Sequence, residues 1–164
     1  MGAGKTTVGR RLARHFGLPF HDSDEEIERA AGASVAEIFA RHGEPEFRRG
    51  ERRVIARLLE GPVHVLATGG GAYIDPDTRE VLRARAVTVW LRAPLDLTWK
   101  RVVRRSTRPL LRTENPRETL TKLWEARAPI YAEADLIVDS VEGPHERTVQ
   151  KVLAALGAWK PTDA

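Results

Sequence analysis

Residues 1–7 read Met1-Gly2-Ala3-Gly4-Lys5-Thr6-Thr7, the latter part of a P-loop, whose full pattern is G-x-x-x-x-G-K-[ST]. In that pattern the glycines let successive backbone N–H groups converge on a phosphate, and the lysine sets a positive charge between the β- and γ-phosphates. The hydroxyl after the lysine is offered to Mg²⁺, and the following helix turns its positive end toward the anion. A flexible glycine-rich terminus would have a similar composition. Here, however, Gly4-Lys5-Thr6-Thr7 runs straight into apolar positions at Val8, Leu12 and Phe16, and Gly17 then stops the helix. Gly2, Ala3, Gly4, Lys5, Thr6 and Thr7 are therefore candidate ATP-phosphate contacts, with Thr6 as a candidate metal ligand.

The motif is cut in its middle. Counting back from Gly4-Lys5, the first loop glycine would fall two residues before Met1, and the strand that feeds a P-loop would lie before that. The expectation is a start assigned at an internal Met, or a shortened form, with about ten further residues upstream that supply an apolar strand.

Working outward, helical and strand-like segments alternate, the pattern of an α/β domain with a parallel sheet. A short strand is expected over 18–21, a helix over 24–31, and a second helix opened by a capping box at Ser34 and Glu37. A longer helix over 46–59 ends at Gly61-Pro62. The apolar run 63–67 reads as a buried strand and meets Gly69-Gly70-Gly71 directly. Asp75-Pro76 sets the N-cap and first position of a helix to about residue 84. A strand over 87–91, a helix over 94–105, a polar loop over 108–115 and a helix capped by Asn115-Pro116 and Glu118 follow. The last strand covers 136–138, and the last helix covers 144–156, stopped by Gly157.

The 164 residues are enough for one domain with a single core. With 41% hydrophobic and 30% charged residues the chain has a globular composition, and no apolar run nears the ~20 residues that span a bilayer. Zero cysteines exclude disulfides, thiolate zinc and cysteine nucleophiles. The expectation is a cytoplasmic enzyme that does not engage a membrane. The net charge of +4 comes from 22 Arg and 5 Lys interleaved with 23 acids. That pattern suits ion-paired helix faces and an anionic small substrate better than a nucleic acid, and no aromatic-basic stacking motif accompanies it.

Several clusters carry chemistry. Asp22-Ser23-Asp24 puts two carboxylates at the carboxyl end of a strand, where parallel sheets bind ligands. Either Asp22 or Ser23 could equally serve as a plain N-cap. Phe47-Arg48-x-x-Glu51 sets Arg48 and Glu51 one helical turn apart, which by itself is an ordinary surface pair. Gly69-Gly70-Gly71 allows a backbone to approach a ligand closely, or makes a tight turn. Arg108-Pro109-Leu110-Leu111 and Arg127-x-Pro129-x-Tyr131 are each unremarked alone.

Taken in this order and spacing, the P-loop, Asp-x-Asp, Phe-Arg-x-x-Glu, Gly-Gly-Gly, Arg-Pro-Leu-Leu and Arg-x-Pro-x-Tyr clusters resemble the shikimate kinases. The resemblance runs to about Val138 and more loosely into the last helix. It implies a three-layer P-loop kinase with parallel strand order 2-3-1-4-5, whose first, central strand this chain does not contain. It implies a single domain over 1–158, with substrate-binding helices about 24–60, a lid about 106–115 and a tail over 159–164. The implied reaction is ATP-dependent phosphorylation of the 3-hydroxyl of shikimate by a monomer.

Roles follow from the same resemblance. Asp24 would hold the shikimate hydroxyls and help deprotonate the attacking one. Arg48 and Arg127 would clamp the carboxylate, with Glu51 orienting Arg48, and Gly70 with Gly69 and Gly71 would line the substrate floor through backbone N–H groups. Lys5 and the lid's Arg108 would reach the transferring phosphoryl group, and Asp22 would meet Mg²⁺ through water. Arg105 and Pro144 would border the adenine. Departures are the missing strand and glycine, a lid in which only Ser106-Thr107 separate Arg105 from Arg108, and a tail from Trp159 that matches nothing. A gluconate or nucleoside-monophosphate kinase shares the P-loop. A non-catalytic nucleotide-binding module is the reading from outside the enzymes.

Overall fold

The computed structural model describes residues 2–103 and 114–160. Gly4-Lys5 passes directly into α1 (Lys5–Phe16), whose first turn carries no acidic residue and whose last turn carries Arg14 and His15. The basic last turn complements the helix dipole, and the acid-free first turn leaves the positive end suited to an anion. The chain packs as two compact units, Met1–Val8 with Thr88–Ala164, and Gly9–Val87.

In the unit Gly9–Val87, β1 (Phe20–Asp22) is followed without a linker by α2 (Ser23–Ala31). The strand starts at Phe20 and not at residue 18, because the Leu18 N–H is taken by the Ala13 carbonyl at 2.9 Å. Pro19 has no N–H to give, and its carbonyl accepts from Val65 at 2.9 Å. Asp22 caps α2 by accepting from the Asp24 N–H, which settles the choice between Asp22 and Ser23. Next comes α3 (Val35–Leu59), opened by the expected capping box of Ser34 and Glu37. It breaks at Gly43 (φ 74°, ψ 173°), two residues before Pro45, so the two expected helices meet as arms of one element. Ile27, Phe47 and Val54 form the buried centre between α2 and α3, with Val35, Ile38, Phe39 and Leu58 packed on it.

β2 (Val65–Ala67) pairs in parallel with β1, Phe20↔Val65 to Asp22↔Ala67. It begins two residues later than the apolar run suggested, since Val63 is exposed. α4 (Pro76–Arg85) starts as expected, with Asp75 accepting from the Thr78 N–H and Pro76 at the first position.

The other unit holds β3 (Val89–Arg92), α5 (Leu95–Val103), α6 (Pro116–Tyr131), β4 (Leu136–Asp139) and α7 (His145–Ala158). β3 and β4 are parallel, Val89↔Leu136 to Arg92↔Asp139. Side chains pin this register at both ends. The Asp135 carboxylate accepts from the Thr88 N–H at 2.7 Å and hydroxyl at 2.6 Å. Arg92 makes a two-point pair with Asp139 at 2.6 and 3.0 Å. Leu91, Val102, Leu120, Val138, Val149 and Val152 are buried here.

Two expectations in this unit are corrected. Gly157 does not stop α7, which runs on to Ala158; one glycine costs a helix only ~1 kcal/mol and is tolerated in a last turn. Asn115 makes no side-chain cap; its amide NH₂ donates to Glu118 at 3.0 Å. The sheets have orders β1-β2 and β3-β4, which are the 2-3 and 4-5 pairings of the expected order. Its other pairings involve a strand ahead of the P-loop.

Candidate active site

The phosphate loop is shaped by its glycines and then held from behind. Gly2 (φ 67°) and Gly4 (φ 86°) are both in the left-handed region that side chains avoid. A Cβ on Gly4 would also stand 2.9 Å from Cε1 of His145, at the start of α7. The loop carbonyls face inward and are claimed. Arg101 donates through one nitrogen to the Gly2 carbonyl and the Ser140 hydroxyl, both at 3.0 Å, and through the other to the Val141 carbonyl at 3.0 Å. Buried Ser140 donates to the Ala3 carbonyl at 3.3 Å. Burial lowers the Arg101 pKa, with Glu142 opposing. The Val8 N–H closes the first helical turn on the Gly4 carbonyl at 2.9 Å, so Lys5, Thr6 and Thr7 occupy the turn whose N–H groups have no helical acceptor.

In the unit Gly9–Val87 the structure brings Asp24, Arg48, Glu51, Gly69 and Gly71 together. Arg48 lies on α3 with its guanidinium bonded to Glu51 at 2.5 Å and to Glu44 at 3.1 and 3.3 Å. This is no surface pair, since Glu51 is 0% exposed. Burial raises the Glu51 pKa, against the Arg48 bond and charge, and one of its carboxylate oxygens has no hydrogen-bond donor. Burial pulls Arg48 down, but Glu51 and Glu44 together push it above its ordinary value. The Gly-Gly-Gly loop lies against these groups. A Cβ on Gly69 would stand 2.8 Å from Oδ1 of Asp24 and 3.3 Å from Oε1 of Glu51, and a Cβ on Gly71 would collide with the Arg48 guanidinium. The triple glycine is thus a place where two carboxylates and a guanidinium meet backbone. The Gly69 N–H is already committed, donating to Ser23 at 3.0 Å.

The remaining candidates sit as follows. Asp22 is spent in part on capping α2. Arg127 lies on α6 in the stripe of Leu120, Trp124 and Tyr131, which docks that helix: Leu120 is buried, Trp124 donates to the Ala93 carbonyl at 3.3 Å, and Tyr131 meets the Trp90 ring at 5.8 Å. Pro144 is the N-cap position of α7. Arg105, Arg108 and lid residues 106–113 lie outside the described residues. Sequence reading missed Arg101, Ser140 and His145. Each acts on the P-loop from about a hundred or more positions away, and in the sequence Arg101 is one more charge on a helix. Among the described residues no cluster of His, Cys, Asp and Glu could hold a metal ion, and no helix is long and apolar enough to cross a membrane.

The chain matches known proteins over nearly its whole length. The shikimate kinase family model matches residues 1–157. The shikimate kinase of Paramagnetospirillum magneticum is 58% identical over 156 residues, covering 95% of this chain and 80% of that protein. A solved shikimate kinase from Acinetobacter baumannii, in complex with shikimate, superposes with a TM-score of 0.90 at 43% identity, over 96% of this chain and 89% of that one. A gluconokinase from Sinorhizobium meliloti, at 20% identity and a TM-score of 0.64 over 96% of this chain and 87% of that one, shares the fold alone. The family match begins in the phosphate loop and runs through both units, and the chain belongs to the shikimate kinase family.

Proposed function

We infer that this chain transfers the γ-phosphoryl group of ATP to the 3-hydroxyl of shikimate, giving ADP and shikimate 3-phosphate. The observation that carries the reading, beside family membership, is the convergence of Asp24, Arg48 and Glu51 on the Gly69–Gly71 backbone. A polyhydroxylated carboxylate asks for these groups: a guanidinium fork for the carboxylate, an acceptor for hydroxyls, and bare backbone to lie against.

Phosphoryl transfer to an alcohol depends on positioning and on neutralising spread negative charge more than on a strong base. In this reading the acceptor oxygen forms its bond to the γ-phosphorus while the bond from that phosphorus to the β–γ bridging oxygen breaks. The hydroxyl proton passes to Asp24, and the bridging oxygen leaves with ADP. Arg48 and Arg127 clamp the shikimate carboxylate, and buried Glu51 fixes the fork of Arg48. Lys5 and Arg108 neutralise the phosphoryl oxygens. Arg105 and Pro144 border the adenine.

Thr6 and Asp22 offer hard oxygen donors without a protein cage. Thr6, directly, and Asp22, through water, would hold a Mg²⁺ that arrives on the nucleotide and keeps most of its water. When bound it supplies charge neutralisation at the phosphates. The enzyme is read as a cytoplasmic monomer, one kinase domain over 1–158 with a tail, acting on small molecules and not on nucleic acid. The test is a coupled ADP-release assay with shikimate, gluconate and nucleoside monophosphates, beside thermal-shift titrations. Turnover with shikimate alone, and shifts with both ATP and shikimate, are expected. A shift with ATP only, and no turnover, would mark a nucleotide-binding module instead.

A further inference from the structure

Ser23 stands between the two carboxylates of the Asp22-Ser23-Asp24 turn, and its residue is 0% exposed. A buried hydroxyl needs a partner, and this one accepts from the Gly69 N–H, 46 residues further on, at 3.0 Å. It is not the cap of α2, a task that Asp22 performs. The β1–β2 ladder has Asp22↔Ala67 as its last pair, so the Ser23–Gly69 bond extends that ladder by one step through a side chain. It joins the turn that carries Asp24 to the first glycine of the loop, at the glycine whose Cβ position is 2.8 Å from the Asp24 carboxylate.

We propose that Ser23 is a positioning residue for the phosphoryl acceptor. Its hydroxyl fixes the spacing between the Asp24 carboxylate and the Gly69–Gly71 backbone, so that the two meet one shikimate molecule in a single register. Ser23 itself touches no substrate and acts through Asp24 and Gly69. The proposal rests on the shikimate reading above, and it assigns that site a residue whose chemistry is otherwise only structural.

The test compares Ser23→Ala and Ser23→Thr with the wild-type chain. Removing the hydroxyl should raise the shikimate KM by about ten-fold, the size of one lost hydrogen bond at a buried donor. The ATP KM should stay within about two-fold, because the phosphate loop is untouched. Hydrogen exchange should quicken at the Gly69 amide in Ser23→Ala while Phe20–Asp22 exchanges as before. Ser23→Thr keeps the acceptor, so it should keep both the protection of Gly69 and the shikimate KM. An unchanged shikimate KM in Ser23→Ala would overturn the proposal, as would equal rises in both KM values together with a lowered Tm. So would a Ser23→Thr chain that protects Gly69 yet loses shikimate affinity as the alanine does. Absence of shikimate turnover in the wild-type chain would instead remove the substrate reading, whereas unchanged exchange at Gly69 in Ser23→Ala would remove the tie by itself.

Discussion

The phosphate loop and the Gly-Gly-Gly loop are both glycine-rich turns beside cationic groups, yet they use glycine for different physical reasons. At the phosphate loop Gly2 and Gly4 hold positive φ values, so the backbone path itself excludes a side chain. At the other loop Gly69 and Gly71 are not among the positive-φ glycines. What excludes a side chain there is the close approach of Asp24, Glu51 and Arg48. One loop is made by the conformation of consecutive residues. The other is made by side chains from α2 and α3 that arrive at it. The first site should therefore fail when the backbone is disturbed, and the second when one charged side chain is exchanged.

The largest effect is expected at Asp24. Asp24→Asn keeps shape and removes the proton acceptor, so turnover should fall by ~10²–10⁴, the usual range for general-base assistance, with ATP affinity little changed. A variant within a few-fold of wild type would show that Asp24 only positions the acceptor, which a loose transition state permits. Next come the arginines. Arg48→Lys keeps a charge but loses the fork that Glu51 holds at 2.5 Å, and losing one member of a desolvated charge pair costs about 2–5 kcal/mol. Shikimate affinity should fall accordingly in Arg48→Lys, and in Arg127→Lys, with nucleotide binding retained. If isothermal titration found both variants binding shikimate as the wild type does, the carboxylate clamp would be misassigned.

The glycines test the comparison directly. Gly4→Ala must hold an L-residue at φ 86° and press a methyl on His145; the left-handed conformation alone costs ~1–2 kcal/mol. Its signature should be a raised KM for ATP, about ten-fold by that cost, with the shikimate KM unmoved. Gly71→Ala meets no backbone penalty but displaces the Arg48 guanidinium, so the split should reverse. Both variants raising the same KM would break the distinction between the loops.

Much of this was legible because it is local. The Gly4-Lys5-Thr6 run, the Ser34/Glu37 box and the Asp75-Pro76 start each specify a short geometry from adjacent residues, and each is found as read. What was illegible depends on distance or burial. Glu51 looks like one of many exposed helical acids until α3 docks and hides it completely. Arg101 and Ser140 reach Gly2 and Ala3 across 99 and 137 positions, with no pattern in the sequence to connect them. Gly157 was over-read as a stop, since a single glycine near a helix end is a weak signal.

The smallest effect separates the units by stability and not by activity. Ser34 and Asn115 occupy the same position before their helices, each with Glu three residues on, and sequence alone treats them alike. In the unit Gly9–Val87, Ser34 accepts from the Glu37 N–H at 3.3 Å, and Glu37 returns a bond to the Ser34 N–H at 2.8 Å. The Ser34 hydroxyl, which donates to the same carboxylate at 2.7 Å, and then the Ser34 N–H hold the Glu37 pKa below its ordinary value. Among the described residues the Asn115 side chain makes no cap, and its amide donates to the exposed Glu118. Ser34→Ala should therefore cost about 1 kcal/mol, the usual worth of an N-cap. Asn115→Ala removes one exposed side-chain contact and should cost well under ~0.5 kcal/mol, as surface changes do. Urea unfolding of both variants, read as a change in midpoint at constant slope, measures the difference. Equal losses would mean that Asn115 caps α6 in solution, and the contrast between the two helix starts would then have to be given up.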